Sequence, residues 1–288
     1  MRAGKNTEFY QAIKCKNRVC PASSLDQANS RNQTVALDQT ISLELIGEEP
    51  LLIRIDEKPY SVVMRTPGEE LFHGAGFCLG EGIVDSPDDF AAIGYCKDLD
   101  SNVIDIRLKP ERREKIHDLL ERRGSISQIS CGICGKEMVK DLYQTLAPAE
   151  NGFEVELNHV FYCINELSRN QKYYQTTRGS HAAIIFDDQL KKLSFAEDVG
   201  RHNALDKAMG KAFMDRTLFK ARILVLSSRI SYELVQKAAR AHLPIMISNS
   251  RPTALAAEMG QALNMTLAFP AKEPELIIVC GENRIVRQ

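Results

Sequence analysis

The residues most able to do chemistry are Cys131 and Cys134, separated by two residues in SCGICGK at 130–136 and each followed by glycine. Such a pair can supply half of a zinc site, cycle between dithiol and disulfide, or carry a sulfur atom as a persulfide. Zinc needs two further ligands. The remaining cysteines, at 15, 20, 78, 96, 163 and 280, form no second pair of this spacing, and only Cys15 and Cys20 come near one. Zinc deaminase chemistry is excluded, because no His-x-Glu or Cys-x-Glu precedes the pair and Ser130 stands where that signature has proline. A thioredoxin-like dithiol would use a helix over MVKDLY to lower the thiol pKa. That motif follows a buried strand, however, and QIS is too short and polar to be one. Gly124, Gly132 and Gly135 put the pair in a mobile connection, 124–150, where a thiolate is suited to delivery between two sites. A surface loop with incidental thiols is the other reading, and the motif alone leaves both open.

A second group of residues suits anions. In FAEDVGRHNALDKAMG, 195–210, Gly200 and Arg201 sit where a strand turns into a helix, so backbone N–H groups and a guanidinium face the same space. The alternative is a capped helix with a surface ion pair. Two similar turns follow, Ser227-Ser228-Arg229 and Ser248-Asn249-Ser250-Arg251. In an open α/β sheet such turns share the carboxyl edge, where ligands bind, so phosphate or pyrophosphate is the expected guest. No Gly-x-x-x-x-Gly-Lys-Ser/Thr loop occurs, which favours phosphate binding without phosphoryl transfer.

The elements that must position these groups follow from length and periodicity. The chain has 288 residues, enough for two domains, and 37 basic against 38 acidic side chains. A net charge of −1 gives no general electrostatic reason to expect nucleic acid or membrane as partner. MRAGKNTEFYQAIK lacks a signal-peptide core, no apolar run is long enough to span a bilayer, and the cysteines are sparse. A cytoplasmic chain with reduced thiols is expected. Residues 1–33, polar and rich in Asn, Gln and Ser, read as a flexible tail. Residues 34–123 read as a small α+β domain. Its strands lie around 35–45, 51–55, 60–65, 93–97 and 103–108, and ERREKIHDLLERR is an amphipathic helix. TPGEELFHGAGFCLGEGIV reads as another helix, with Thr66 as cap, Pro67 at the first position and Glu69 closing a capping box. Residues 151–288 read as an α/β domain: a helix near 157–169, then HAAIIF, NALDKAMGKAFMD, RILVLSS, YELVQKAARAH, PIMIS, ALAAEMGQAL, TLAF and LIIVC. This alternation predicts a mainly parallel sheet with helices on its faces.

TPGEELFHGAGFCLGEGIV, SCGICGK, RGSHAAIIF, EDVGRHNALDKAMG, SSRISYELVQKAAR and SRPTALAAEM, in this order, resemble the formate dehydrogenase accessory protein FdhD family over about residues 40 to 285. The resemblance implies a cytidine-deaminase-like three-layer α/β domain without the zinc ligands, preceded by the smaller α+β domain. It also implies a sulfurtransferase, a sulfur carrier for molybdenum cofactor biosynthesis. Persulfide sulfur would come from a cysteine desulfurase and pass to molybdenum bound by two molybdopterin guanine dinucleotides, the cofactor that formate dehydrogenase requires. Cys131 would be the persulfide carrier and Cys134 the assisting thiol, leaving a disulfide to be reduced in the cytoplasm. The family's cofactor-binding segment falls on Phe269, Pro270, Ala271, Lys272, Glu273 and Pro274. The dinucleotides bring pyrophosphates, which suits the turns of Arg201, Arg229 and Arg251, and GDP would serve as a mimic. No structural metal is expected, and the expected assembly is a homodimer. His181 opens a strand and reads as a hydrogen-bonded edge histidine. Two other classes fit the same residues: a non-catalytic cofactor chaperone, and a redox-sensing protein that uses a Cys131–Cys134 disulfide as its switch.

Overall fold

A computed structural model describes residues 6–14, 39–95, 102–117, 146–272 and 274–287. Cys131 and Cys134, with Cys15, Cys20, Cys96 and Glu273, lie outside the described residues. The chain opens with β1 (Thr7–Lys14) and β2 (Gln39–Ile46), an antiparallel ribbon. The flexible tail expected over 1–33 is therefore corrected for Thr7–Lys14. TEFYQAIK carries β-formers but looks polar on its own, and its pairing partner is remote in sequence.

β3 (Glu49–Ile55), β4 (Lys58–Arg65), β5 (Phe90–Tyr95) and β6 (Val103–Leu108) form a four-stranded sheet of order β4-β3-β6-β5. Leu51, Ile53 and Ile55 alternate inward on β3, as the period of two requires. Helix α1 (Glu70–Gly80) packs on this sheet, and α2 (Pro110–Lys115) follows β6. The expected cap is wrong in detail. The turn bends at Gly68 (φ +99°), α1 begins only at Glu70, and no side chain caps it. Thr66 is engaged elsewhere: its hydroxyl accepts from Val199 N at 3.0 Å and its N–H donates to Asp198 at 3.0 Å. The part of the ERREKIHDLLERR helix beyond residue 117 lies outside the described residues.

The second unit contains β7 (Val155–Glu156), α3 (Leu157–Asn170), α4 (Lys172–Thr177), β8 (His181–Asp187), β9 (Lys192–Asp198) and α5 (Arg201–Met214). It continues with β10 (Ala221–Leu226), α6 (Tyr232–Arg240), β11 (Ile245–Ser248), α7 (Ala254–Ala262), β12 (Thr266–Pro270), β13 (Leu276–Cys280) and β14 (Ile285–Val286). Six strands in the order β13-β12-β11-β10-β8-β9 make its sheet. Ile184, Phe186, Ile223, Val225, Ile245 and Ile247 face α3, while Ala183, Ile185, Leu224, Leu226 and Met246 face α5 to α7, which gives three layers. The mainly parallel sheet is corrected to a mixed one. β10–β11 and β11–β12 are parallel, but β8–β9, β8–β10 and β12–β13 are antiparallel. β9 is missed by periodicity because its inward positions include small or polar Ser194 and Ala196.

The two units are not separate cores. Leu51, Ile53 and Ile104 belong to the same cluster as Ile185, Leu205 and Leu234. Leu146, near the end of the expected mobile connection 124–150, is buried in that cluster, and Ala149 N donates to Leu263 O at 2.8 Å. Helices α1 and α5 meet backbone to backbone. A Cβ on Gly76 would overlap the Asp206 carbonyl, and one on Gly210 would overlap that of Phe72.

His73 is enclosed on α1. Burial, then the charges of Lys207, Lys237 and Arg65, push its imidazole well below the ordinary value, so it is neutral when folded. The unfolded histidine takes up a proton near pH 6.5 and the folded one does not. This contribution to stability is therefore complete above that pH and is lost as pH falls toward the folded value, by about 1.4 kcal/mol per pH unit. Half-buried His181, also lowered, acts in the same direction in parent and variant. Urea midpoints between about pH 7 and pH 5 should fall less steeply in His73→Leu than in the parent; equal slopes would contradict this assignment.

Candidate functional site

Because β10, β11 and β12 run parallel, their carboxyl ends lie on one edge of the sheet. β9 runs in the same direction, being antiparallel to β8, which is itself antiparallel to β10. That edge therefore collects Asp198 to Arg201, Ser227 to Arg229, Ser248 to Arg251, Phe269 to Lys272, and the start of β8 at His181. The serines knit adjoining turns together. Ser248 Oγ donates to the Ser228 carbonyl, Ser250 N donates to Ser248 Oγ at 3.0 Å, and Asn249 N donates to Leu226 O at 3.0 Å. These bonds hold Arg229 and Arg251 on neighbouring loops with both side chains exposed.

The arginine sites differ. Arg251 Cζ lies 5.9 Å from the Phe269 ring centroid, so the second arginine turn and the FPAKEP segment meet. Phe269 and Pro270 close β12. Ala271 and Lys272 then turn tightly into β13, with Ala271 N donating to Glu275 O at 2.9 Å. Pro274 follows in the same turn. Arg201 is half-buried at the start of α5, and its Nε has no hydrogen-bond partner. Next to it, His202 Nε2 lies 2.8 Å from Glu233, whose carboxyl that bond holds below its ordinary value.

The EDVGRHNALDK block is more of a joint than an anion loop. Asp198, fully buried, accepts from Thr66 N at 3.0 Å, Gly200 N at 2.8 Å and Asn203 Nδ2 at 2.9 Å, and pairs with Lys207 Nζ at 2.7 Å. Lys207 also donates to Thr66 O at 2.7 Å, and Asn203 to Met64 O at 2.7 Å. Asp206 binds Lys237 Nζ through both oxygens, at 2.8 and 2.9 Å. Burial alone would lower the Lys237 ammonium, and Asp206 and Glu81 more than reverse this, so it stays charged. Glu197 holds the start of α4, accepting from Tyr173 N at 2.9 Å, Tyr174 N at 3.0 Å and Ser180 Oγ at 2.8 Å.

Sequence reasoning missed a polar cleft of about 310 Å³ beside the arginine turns, lined by Gln171, Tyr174, Arg178, His181, Ser227 and Asn249 among others. Only His181 and the serine-bearing turns signalled it. Its other walls come from the junction of α3 and α4, which follows no motif. Burial, then Arg201, lowers the His181 imidazole, so it enters the cleft as a neutral ring. Among the described residues no cluster of His, Cys, Asp and Glu is arranged to hold a metal ion, and no helix is long and apolar enough to cross a membrane.

Comparison with known proteins shows the family to which the chain belongs. The model of the FdhD/NarQ family matches residues 46–286. A protein of Mycobacterium bovis named sulfur carrier protein FdhD is 35% identical over 274 residues, covering 91% of this chain and 95% of its own. One of the same name from Streptomyces avermitilis is 33% identical over 251 residues, covering 84% and 88%. A crystal structure from Desulfotalea psychrophila, described as that of a formate dehydrogenase accessory protein, superposes with a TM-score of 0.73 over 98% of this chain and 100% of that one. At 18% identity that likeness speaks for the fold. With a family model spanning most of its length and relatives at a third identity over nearly all of theirs, the chain belongs to the FdhD/NarQ family.

Proposed function

We propose that the chain is a sulfur carrier: Cys131 accepts persulfide sulfur from a cysteine desulfurase, and the sulfur passes to a molybdenum–bis(molybdopterin guanine dinucleotide) cofactor destined for formate dehydrogenase. In the release step Cys134 attacks the inner sulfur of the Cys131 persulfide. The outer sulfur leaves as hydrosulfide for the cofactor, the Cys134 proton is released, and a Cys131–Cys134 disulfide remains. A dithiol reductant must reset that disulfide, which suits a reducing compartment such as the cytoplasm.

The observation that carries the reading is the carboxyl edge, where Arg201, Arg229 and the Arg251–Phe269 pair stand beside a polar cleft, as a ligand with pyrophosphates and rings requires. The thiols add support. Cys78, Cys163 and Cys280 are buried, and burial pushes each thiol up, Cys163 to about 12, so none of these three is a ready nucleophile.

Peptide mass mapping after treatment with a cysteine desulfurase and cysteine is the test. Added sulfur is expected on the 131–134 peptide, with none on Cys78, Cys163 or Cys280, and no loading of Cys131→Ala. Equal loading of that variant would overturn the carrier role. A Cys131→Ser variant that still supports formate dehydrogenase would point to a cofactor chaperone. For the cofactor edge, Arg229→Ala and Arg251→Ala should each weaken GDP binding about ten- to a hundredfold, or about 1.5–3 kcal/mol per charge-assisted contact. Calorimetry checks this, with an unchanged melting temperature as the folding control. Parent-like binding by both variants would move the phosphates elsewhere.

A further inference from the structure

A second groove, of about 620 Å³, opens where α5 and α6 end. Leu79 of α1, Phe213 of α5, Ala239 of α6 and Leu218 from the turn after α5 give it an apolar lining, and Phe219 stands beside them 74% exposed. The charges at its rim are already engaged: Arg216 Nη2 lies 2.6 Å from Asp88, and Arg240 Nη1 lies 3.8 Å from Asp85. The groove therefore offers apolar surface rather than a free charge, and it suits an apolar stripe.

Leu146 and Ala147 also line the groove, and Leu146 is buried in the main core cluster. This is where the described chain resumes after residue 117. The residues ahead of it lie outside the described ones, but their order is informative. Counting back from Leu146 at about 100° per residue, Tyr143, Leu142, Val139 and Met138 fall within about 80° of it, whereas Thr145, Gln144, Asp141, Lys140 and Glu137 fall farther round. Gly135 precedes this pattern and Pro148 follows it, as start and stop. The stripe is thus centred on a residue that already sits in the groove.

We propose that residues 137–145 form an amphipathic helix running into Leu146, and that Val139, Leu142 and Tyr143 occupy the groove against Phe213, Leu218 and Phe219. The occupant is this segment rather than a second copy or a separate protein, because it is joined to the groove at Leu146. Its local concentration there is on the order of millimolar, which a separate molecule must exceed to displace it. The docked helix anchors the CGIC pair, with only Gly135 and Lys136 between it and Cys134. Docking needs neither sulfur chemistry nor cofactor, so it stands or falls independently of the proposed function.

Hydrogen exchange of the full chain, read by peptide mass, tests it. Amides of residues 139–146 should exchange about tenfold or more slowly than in an unstructured chain, at a rate independent of protein concentration. Leu142→Asp puts a charge in the stripe and Phe219→Ser removes an aromatic wall, so each should abolish most of this protection. Lys140→Glu, on the polar face, and Leu255→Ser, at an exposed position on α7, should behave like the parent. The chain has no tryptophan, so Tyr143→Trp adds a single reporter whose emission should be blue-shifted, and should move to the red when Leu142→Asp or Phe219→Ser is added. Phe219 is exposed, so its variant keeps the test valid if Leu142→Asp does not fold. Unprotected amides over 139–146 in the parent overturn the proposal. Protection that persists in both Leu142→Asp and Phe219→Ser places the segment elsewhere and overturns it too. Protection that fades on dilution gives the groove to a second copy, which also overturns it.

Discussion

Asp198→Ala should cost about 3–5 kcal/mol of folding stability, although Asp198 is fully buried beneath the carboxyl edge and presents nothing to a ligand. The carboxylate neutralises Lys207, which is itself enclosed, and satisfies three further donors, from Thr66, Gly200 and Asn203. Removing it leaves a buried ammonium with no counter-charge, the case in which breaking an ion pair is most costly. The double variant Asp198→Ala with Lys207→Met should recover a large part of the loss, because the orphaned charge goes with its partner. Guanidinium unfolding of the two single variants and the double variant measures the coupling. A single-variant loss below about 1 kcal/mol, or strict additivity, would mean that water reaches Lys207 and that the joint is weaker than its geometry suggests. The turn that carries Arg201 hangs from Asp198 through Gly200, so Asp198→Ala should also loosen ligand binding at that end of the edge.

Gly210→Ala should be as damaging, for a different reason. Added carbon at residue 210 would collide with the Phe72 carbonyl oxygen and lie 2.6 Å from Gly76 N, and Gly76→Ala would collide with the Asp206 carbonyl. Both obstacles are helix backbone, so no side chain can rotate away and α1 must separate from α5. Overpacking of a core costs about 1–3 kcal/mol when side chains can yield. Here about 3 kcal/mol or more is expected, since the separation also stretches the Asp198 and Lys207 bonds to Thr66. The substitution improves helix propensity by roughly 0.5–1 kcal/mol, which makes the sign informative. Thermal unfolding of Gly210→Ala decides it: an unchanged or raised melting temperature would show that the crossing has slack. By contrast, Gly94→Ala meets nothing within 4 Å and should behave like the parent.

Elements whose burial is periodic are legible in the order of the residues alone. Leu51, Ile53 and Ile55 announce β3, the apolar run HAAIIF announces β8, and Val160, Ile164 and Leu167 announce α3. The same pattern puts the turns of Arg229 and Arg251 on one edge, because a strand followed by a helix and a parallel strand returns each turn to the same side, whereas the Arg201 turn joins them through β9, which periodicity does not announce. The pair Cys131–Cys134 is legible only in the order of the residues. Other features depend on contacts across long separations in the chain. Thr66 has the residue type of a helix cap, but its partner Asp198 is 132 positions away, and no local pattern can announce a bond across that separation. EDVGRHNALDK reads equally well as an anion loop or a capped helix; which donors its acids meet depended on α1 and α6 docking against α5. Gln171 looks like any polar residue between two helices until folding buries it in the cleft that Ser227, from the turn after β10, also lines. Periodicity states which face of an element turns inward. It does not state which surface it meets, because that choice is made by contacts between residues far apart in the chain, where close backbone approach and charge pairing select the partner.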